Sequence, residues 1–450
     1  MAAVPSAGAG SSERCVLPGG GRRPPAIPPS IGTNRVPVRR LWTTAFRRYV
    51  LTIARRFRYN TPVVPDLPLK QILSDRQLEI YAGRKLAVPI SFVAIEKEAQ
   101  QTLPPQVFDY VAGGAGAERT MQANLDAFYR WRIVPRLLRD VSQRDLATDL
   151  FGMRLPAPII LGPVGVQGII HASGELASAK AAASLGIPFV LSTVSSYSIE
   201  QVAAAMPGEP RWFQLYPSKD PQLNASLLRR AENAGYSAVV VTLDTRLLGW
   251  RERDLDRGYL PFLEGLGLAN YFSDPVFRSH LAAPPEEDPP AAIRYWSTIY
   301  SHPGSTWEDF RALHRQTRLP MLLKGLLHPD DARRALDYGV EGLIVSNHGG
   351  RQVDGAIASL DALLAIVKLM GNRLPVLFDG GIRRGSDIVK ALALGARAVL
   401  IARPYCWGLA LAGEEGVRDV VLNLLADLDV TLALAGIASA RDVDLSILSQ

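Results

Sequence analysis

The sequence predicts an α/β fold, a (β/α)8 TIM barrel with an N-terminal helical cap and a long lid loop after the fourth strand. Three observations carry that prediction. Eight short apolar runs recur from about residue 157, and helical segments follow seven of them closely. The runs are continuously apolar, which means strands buried on both faces. Polar residues gather at the C-terminal ends of the runs, the face on which such barrels carry active sites. A doubly wound open sheet is the competing arrangement; the count of eight favours closure.

Residues 1–74 form a basic extension. Its first forty residues, rich in Gly, Pro, Ala and Ser, read as disordered. In "LWTTAFRRYVLTIARRFR" (41–58), Trp42, Phe46, Tyr49, Val50, Ile53 and Phe57 fall at helical spacing with arginines between them. That pattern fits an amphipathic helix for a membrane surface or a transit-like segment. The plainer reading, an upstream extension without a role, is preferred. Residues 1–60 hold eleven Arg and one Glu, a charge of +10, so of the total +7 the rest of the chain carries −3. The basic character belongs to the extension, and nothing in the body calls for nucleic acid. Two cysteines, Cys15 and Cys406, lie in different parts of the chain. A disulfide framework is not expected, and a reducing, cytoplasmic setting is the default. No apolar run reaches the roughly 18–20 residues of a membrane span.

Residues 75–450 are assigned to the barrel and its cap. Before the barrel, "SFVAIEKEAQQTLPPQVFDYVAGGAG" reads as short helices broken by glycines and covering one end. The strands follow as "APIILGPV" (157–164), "PFVLSTV" (188–194), "RWFQLY" (211–216), "AVVVTLD" (238–244), "PMLLKGL" (320–326), "GLIVSNH" (342–348), "PVLFDGG" (375–381) and "AVLIARP" (398–404). The last helix is expected at about 414–436. Several helices end on a stop signal: Gly186, Gly235, Gly339 and Gly395. About sixty residues (roughly 245–305) separate the fourth strand from its helix, too many for an idle connection. The aromatic-rich parts read as an ordered lid, and "APPEEDPPAA" reads as mobile.

The chemistry-bearing residues sit at strand ends. Asp244 and His348 end the fourth and sixth strands; an aspartate that orients a histidine makes a base. Tyr216, ending the third, can add a hydroxyl. Lys324 ends the fifth strand, where a lysine needs a negative partner or serves as a Schiff-base amine. Arg351 and Arg251 are candidates for holding a carboxylate, although a solvated lid charge is the stronger reading of Arg251 taken alone. "DGGIRRG" (379–385) and "IARP" (401–404) follow strands seven and eight, the usual phosphate position in such barrels.

Taken in chain order, "FQLY", "VTLDT", "LLKG", "SNHGGRQ", "FDGGIRRG" and "ARP" make the sequence resemble the FMN-dependent 2-hydroxy-acid oxidising enzymes over about residues 75–445. Within that family it looks most similar to lactate 2-monooxygenases, through "YVAGGAG", "TLDTRLLGWRERDL", "PFLEGLGLANYFSDPVF" and "RPYCWG". The resemblance implies FMN as cofactor, a small L-2-hydroxy acid such as L-lactate with O2 as co-substrate, no metal, and a tetramer or octamer. Lactate would give acetate, CO2 and water; a 2-hydroxy-acid oxidase releasing H2O2 and an acceptor-linked lactate dehydrogenase are the alternatives. It also implies roles. His348 is the base, Asp244 its partner, and Tyr216 contacts the substrate hydroxyl. Tyr110, Arg251 and Arg351 hold the carboxylate. Lys324 supports the flavin. Pro163, Val164, Gly165, Ser192, Gln214, Thr242 and Ser346 lie along its ring. Asp379, Gly380, Gly381, Arg383, Ala402 and Arg403 line the ribityl phosphate site. Two departures stand out: Val194 in place of a bulky aromatic found in glycolate oxidase, and Ala402 in place of a glycine; Gly165 stands where dehydrogenase-like members tend to carry alanine. The missing methyl at 165 is expected to open space for O2.

Overall fold

Eight parallel strands close on themselves in a computed structural model that describes residues 69–450. The expected helix at 41–58 lies outside the described residues. The strands are β1 (Ile159–Leu161), β2 (Phe189–Ser192), β3 (Arg211–Leu215), β4 (Ala238–Thr242), β5 (Met321–Leu326), β6 (Gly342–Val345), β7 (Val376–Asp379) and β8 (Val399–Ile401). Each pairs with its neighbour in sequence, and β8 pairs back onto β1 through Val399↔Ile159, so the doubly wound alternative does not apply.

Period-two alternation explains the barrel interior. Ile160, Val190, Trp212, Val240, Leu322, Ile344, Leu377 and Leu400 all belong to one buried cluster. A short hairpin, Thr148–Leu150 with Met153–Leu155, adds Leu150 and Leu155 to that cluster, and Phe151 meets Trp212 edge-on at 5.8 Å. The second, larger cluster lies between the strands and the surrounding helices.

Among the described residues, four helices precede the barrel: α1 (Leu69–Tyr81), α2 (Phe92–Thr102), α3 (Pro105–Ala112) and α4 (Arg119–Tyr129). Helix α1 crosses the boundary expected at residue 75. It is tied to the final helix by buried Arg76, which pairs with Asp419 at 2.9 Å and donates to Asn423 at 2.8 Å. Seven barrel helices follow their strands closely, as expected: α5 (Gly174–Ala183), α6 (Ile199–Ala205), α7 (Pro221–Asn233), then after the lid α13 (Pro329–Asp337), α14 (Ser359–Met370), α15 (Gly385–Ala393) and α16 (Arg403–Ala435). Gly186, Gly235, Gly339 and Gly395 all take the left-handed conformation at helix ends. The final helix differs from expectation. It begins at Arg403, directly after β8, and is broken at Ala412 and Gly413.

The lid, between β4 and α12 (Trp307–His314), is built from short helices: α8 (Glu252–Arg257), α9 (Ala269–Phe272), α10 (Pro275–Ser279) and α11 (Pro289–Ile299). The segment expected to be mobile instead starts α11. Asp288 caps Ala291 N–H at 3.0 Å, and Pro289 stands in the first turn, where its missing N–H costs nothing. Asn270 pins the lid to the barrel, accepting from Ile199 N–H at 2.8 Å and donating to the Thr193 carbonyl at 3.0 Å.

Candidate active site

The strand register that fills the barrel with apolar side chains also builds the site. Two residues beyond Val190, Trp212, Val240, Leu322, Ile344 and Leu377 stand Ser192, Gln214, Thr242, Lys324, Ser346 and Asp379. The inward face thus turns polar in its last layer. Its members bond around the mouth: Ser192 Oγ to Gln214 Oε1 at 3.1 Å, Gln214 Nε2 to Thr242 Oγ1 at 3.0 Å, and Lys324 Nζ to Ser346 Oγ at 2.9 Å. Lys324 pairs with Asp379 at 3.0 Å. Burial alone would lower its ammonium pKa, but Asp379 and Asp244 hold it above the ordinary value.

The "SNHGG" turn aims the histidine. His348, Gly349 and Gly350 are consecutive left-handed residues with φ of 57°, 61° and 79°. A Cβ at Gly350 would stand 2.6 Å from Met121 N, so that position requires glycine. His348 is the exception that bears strain, held by its own N–H donating to Ser346 Oγ at 3.0 Å. Next to it, Asn347 and Asn124 exchange a reciprocal pair of amide hydrogen bonds at 2.8 Å, fixing the turn to α4.

His348 Nδ1 lies 2.8 Å from Asp244 Oδ1. Burial would raise the Asp244 carboxyl, but His348 and Lys324 more than offset it and keep it below its ordinary value. As a carboxylate, Asp244 only accepts, so Nδ1 carries the proton and Nε2 offers its lone pair. Nε2 faces Tyr216 Oη at 3.5 Å. Burial pushes the imidazole below its usual pKa, Asp244 pulls the other way, and Lys324 and Arg251 add to the depression. A neutral imidazole results, as a base requires.

This pair opens onto a cavity lined by Tyr110, Tyr216, Arg251, Arg351, Lys324 and His348, and beyond them by Pro163, Val164, Gly165, Asp379, Gly380, Gly381, Arg383, Ala402 and Arg403. Asp244 stands behind His348, and Ser192, Gln214, Thr242 and Ser346 lie buried beneath the cavity lining. Among the described residues, Arg351, Arg383 and Arg403 form no ion pair. Burial pushes Arg351 down to about 9, with Arg251 adding to it, and Arg383 and Arg403 down to about 10. Half-buried guanidinium groups without carboxylates call for anions from outside.

The far end of the cavity fits a phosphorylated cofactor such as FMN. Arg383 Nε and Asp379 Oδ1 are buried without a partner. Gly380 and Gly381 take φ of 116° and 86°, and a Cβ at Gly381 would lie 2.4 Å from the Asn124 carbonyl oxygen. Helix α16 begins beside them, its N-terminus favouring an anion. The Arg403 side chain departs from simple expectation: it donates to the carbonyls of Val111, Gly349 and Gly113 at 2.8–3.1 Å. It therefore ties cap, turn and α16 together. Gly165 is also corrected. A Cβ there would meet the Val194 carbonyl oxygen at 2.7 Å and Val194 Cγ2 at 2.8 Å. Glycine at 165 is needed for close loop packing, and the volume of a methyl is already occupied rather than open.

Sequence reasoning found Arg251 but missed the other residues that the lid contributes. Leu248, Phe262 and Tyr300 line the cavity, as do Thr245 and Cys406. Phe262 packs against Tyr110 edge-on at 6.5 Å and against Trp296 at 5.4 Å, and Tyr300 against Tyr216 at 6.0 Å. The aromatic density of the lid sequence was their only signal.

A closed parallel barrel with a histidine–aspartate pair, arginines free of carboxylate partners and an end suited to an anion fits a flavin-dependent oxidoreductase of hydroxy acids. Residues 99–450 match the family model of FMN-dependent dehydrogenases, and the chain belongs to that family. It is 47% identical over 363 residues to the FMN-dependent alpha-hydroxy acid dehydrogenase qulF of Penicillium citrinum, covering 80% of this chain and 90% of the relative. The L-lactate oxidase of Lysinibacillus sphaericus is 46% identical over 351 residues, covering 78% and 90%, and human 2-hydroxyacid oxidase 1 is 41% identical over 352 residues, covering 78% and 93%. The crystal structure of a mandelate oxidase superposes with a TM-score of 0.71 at 39% identity, covering 80% of this chain and 98% of that one. The protein uses FMN to oxidise an alpha-hydroxy acid.

Proposed function

We propose that the protein oxidises a small L-2-hydroxy acid, L-lactate first, with dioxygen as final acceptor, and that lactate leaves as acetate, CO2 and water. One observation carries this reading. His348, its Nδ1 held by Asp244 at 2.8 Å and its Nε2 left free to accept a proton, shares a cavity with Arg251 and Arg351. Two guanidinium groups suit one carboxylate. A carboxylate held there presents its α-hydroxyl to His348 and Tyr216. His348 takes the hydroxyl proton on Nε2, and Asp244 stabilises the imidazolium that forms. Bound FMN supplies the two-electron acceptor for the substrate and the donor for dioxygen. Lys324, with Ser192, Gln214 and Thr242 below the cavity, would hold its ring; Arg383 and the α16 N-terminus would hold its phosphate.

The lid supports the fate of the product. Leu248, Phe262 and Tyr300 roof the cavity, so a 2-oxo acid and the H2O2 formed beside it are retained together. Peroxide oxygen adds to the 2-oxo carbon, the C1–C2 and O–O bonds break, and acetate, CO2 and water result. A second reading, an oxidase that releases 2-oxo acid and H2O2, is favoured by relatives named L-lactate oxidase and 2-hydroxyacid oxidase. Product analysis in air decides. Acetate with no net H2O2 is expected; stoichiometric pyruvate and H2O2 assigns the oxidase, and turnover only with a quinone-like acceptor overturns both. The same reading carries a cytoplasmic tetramer or octamer, measurable by light scattering. No helix among the described residues is long and apolar enough to cross a membrane.

A further inference from the structure

The side-chain amide of Gln352 makes four hydrogen bonds, all to one stretch of chain. Nε2 donates to the carbonyls of Asp244 and Leu247 at 2.8 and 2.9 Å. Oε1 accepts from Gly249 N–H and from Arg251 Nη2, each at 3.3 Å. Two donors and a twofold acceptor exhaust what an amide offers. That stretch, 244–251, runs from the aspartate behind His348 to the arginine beside it, and it is the root of the lid. The fit is close: a Cβ on Gly249 would stand 2.3 Å from the Arg351 carbonyl oxygen.

Arg251 needs such a hold. It lines the same cavity as Arg351, and its charge disfavours the Arg351 cation. Apart from Asp254 at 3.8 Å, Arg251 is held by neutral oxygens, Gln352 Oε1 and the Arg351 carbonyl at 3.2 Å. A neutral acceptor orients a guanidinium without cancelling its charge, so the charge stays available to an incoming anion. We infer that Gln352 is a positioning residue for substrate carboxylate recognition, holding Arg251 toward the cavity while fixing the lid root to the turn that carries His348 and Arg351. This rests on the reading of Arg251 as a carboxylate donor.

Two variants of the FMN-loaded protein test it, with L-lactate as probe. Gln352→Leu removes all four bonds at similar volume. KM is expected to rise about tenfold while kcat stays within about twofold and FMN content is unchanged. Gln352→Glu keeps the shape and the acceptor facing Arg251 but adds a carboxylate that occupies the guanidinium. Its KM is expected to exceed that of Gln352→Leu. A kcat loss at unchanged KM in the Leu variant, or a wild-type KM in the Glu variant, overturns the inference. If the Leu variant fails to hold FMN, the KM of the Glu variant decides. A wild-type protein inert toward L-2-hydroxy acids would instead sink the functional reading, and this one with it, before any variant is made.

Discussion

Replacing Asp244 by asparagine tests the base directly. Asparagine keeps the shape and an oxygen that can still accept from His348 Nδ1, so the change is one of charge. The contact is 2.8 Å long and joins a carboxylate to a ring that becomes cationic in the reaction. A charge-assisted hydrogen bond contributes roughly 1.5–3 kcal/mol, and unit charges about 4 Å apart attract by about 4 kcal/mol at an effective dielectric near 20. Only the part that grows as His348 gains its proton bears on the rate. About 3–4 kcal/mol is then lost from the transition state, a slowing of roughly 10²- to 10³-fold. Asp244 is the influence that raises His348, so the imidazole pKa falls further in the variant and it becomes a weaker base. The assay is anaerobic stopped-flow bleaching of the flavin band at saturating L-lactate. Substrate affinity should change little, because Arg251 and Arg351 remain. A bleaching rate within about threefold of wild type, at equal FMN content, would refute the role given to the pair.

Other consequences follow from particular contacts. Gly165→Ala forces a methyl into Val194 and should cost about 1–3 kcal/mol in thermal unfolding, partly recovered by adding Val194→Ala; an unshifted melting temperature would contradict the packing. The lid helix α8 is clipped to the cap by Arg257–Asp109 at 2.8 Å and by Arg253 with Glu118 at 2.5 Å. Arg253→Glu should therefore lower the acetate-to-pyruvate ratio, and about 0.5 M salt should move wild type the same way; an unchanged ratio in both would separate product retention from this clip. Glu175 is buried with Oε2 unpartnered, and burial lifts its carboxyl from 4.5 to about 7. A carboxyl raised in the folded state costs stability progressively as pH rises from its unfolded to its folded pKa. Glu175→Gln should gain on wild type between about pH 5 and pH 8 by up to about 3 kcal/mol; a gap in melting temperature that is flat with pH would exclude this.

The barrel was legible because its signal is local and repeated. Continuous apolar runs, glycine-terminated helices and polar strand ends each follow from backbone geometry that any reader of the chain can apply. The same regularity located Gln214 and Lys324, which sit at fixed offsets in a period-two pattern, and His348, which stands in the turn just past its strand. The lid was less legible. Its helices are short, and α11 starts in a proline-rich and acidic stretch whose composition resembles loop. Phe262 and Tyr300 reach the cavity only through tertiary packing, and no periodicity marks them. Gly165 was misread for a related reason: the sequence shows a missing methyl but not the Val194 backbone that fills its place. Gln352 was visible in "SNHGGRQ", yet its four partners all lie about a hundred residues upstream.

The most direct test of the account is anaerobic titration of the purified, FMN-loaded protein with L-lactate and, separately, D-lactate. Loss of the oxidised flavin band with the L isomer alone is the predicted result. A band that persists with L-lactate and other L-2-hydroxy acids, in protein that carries its full complement of FMN, would contradict it.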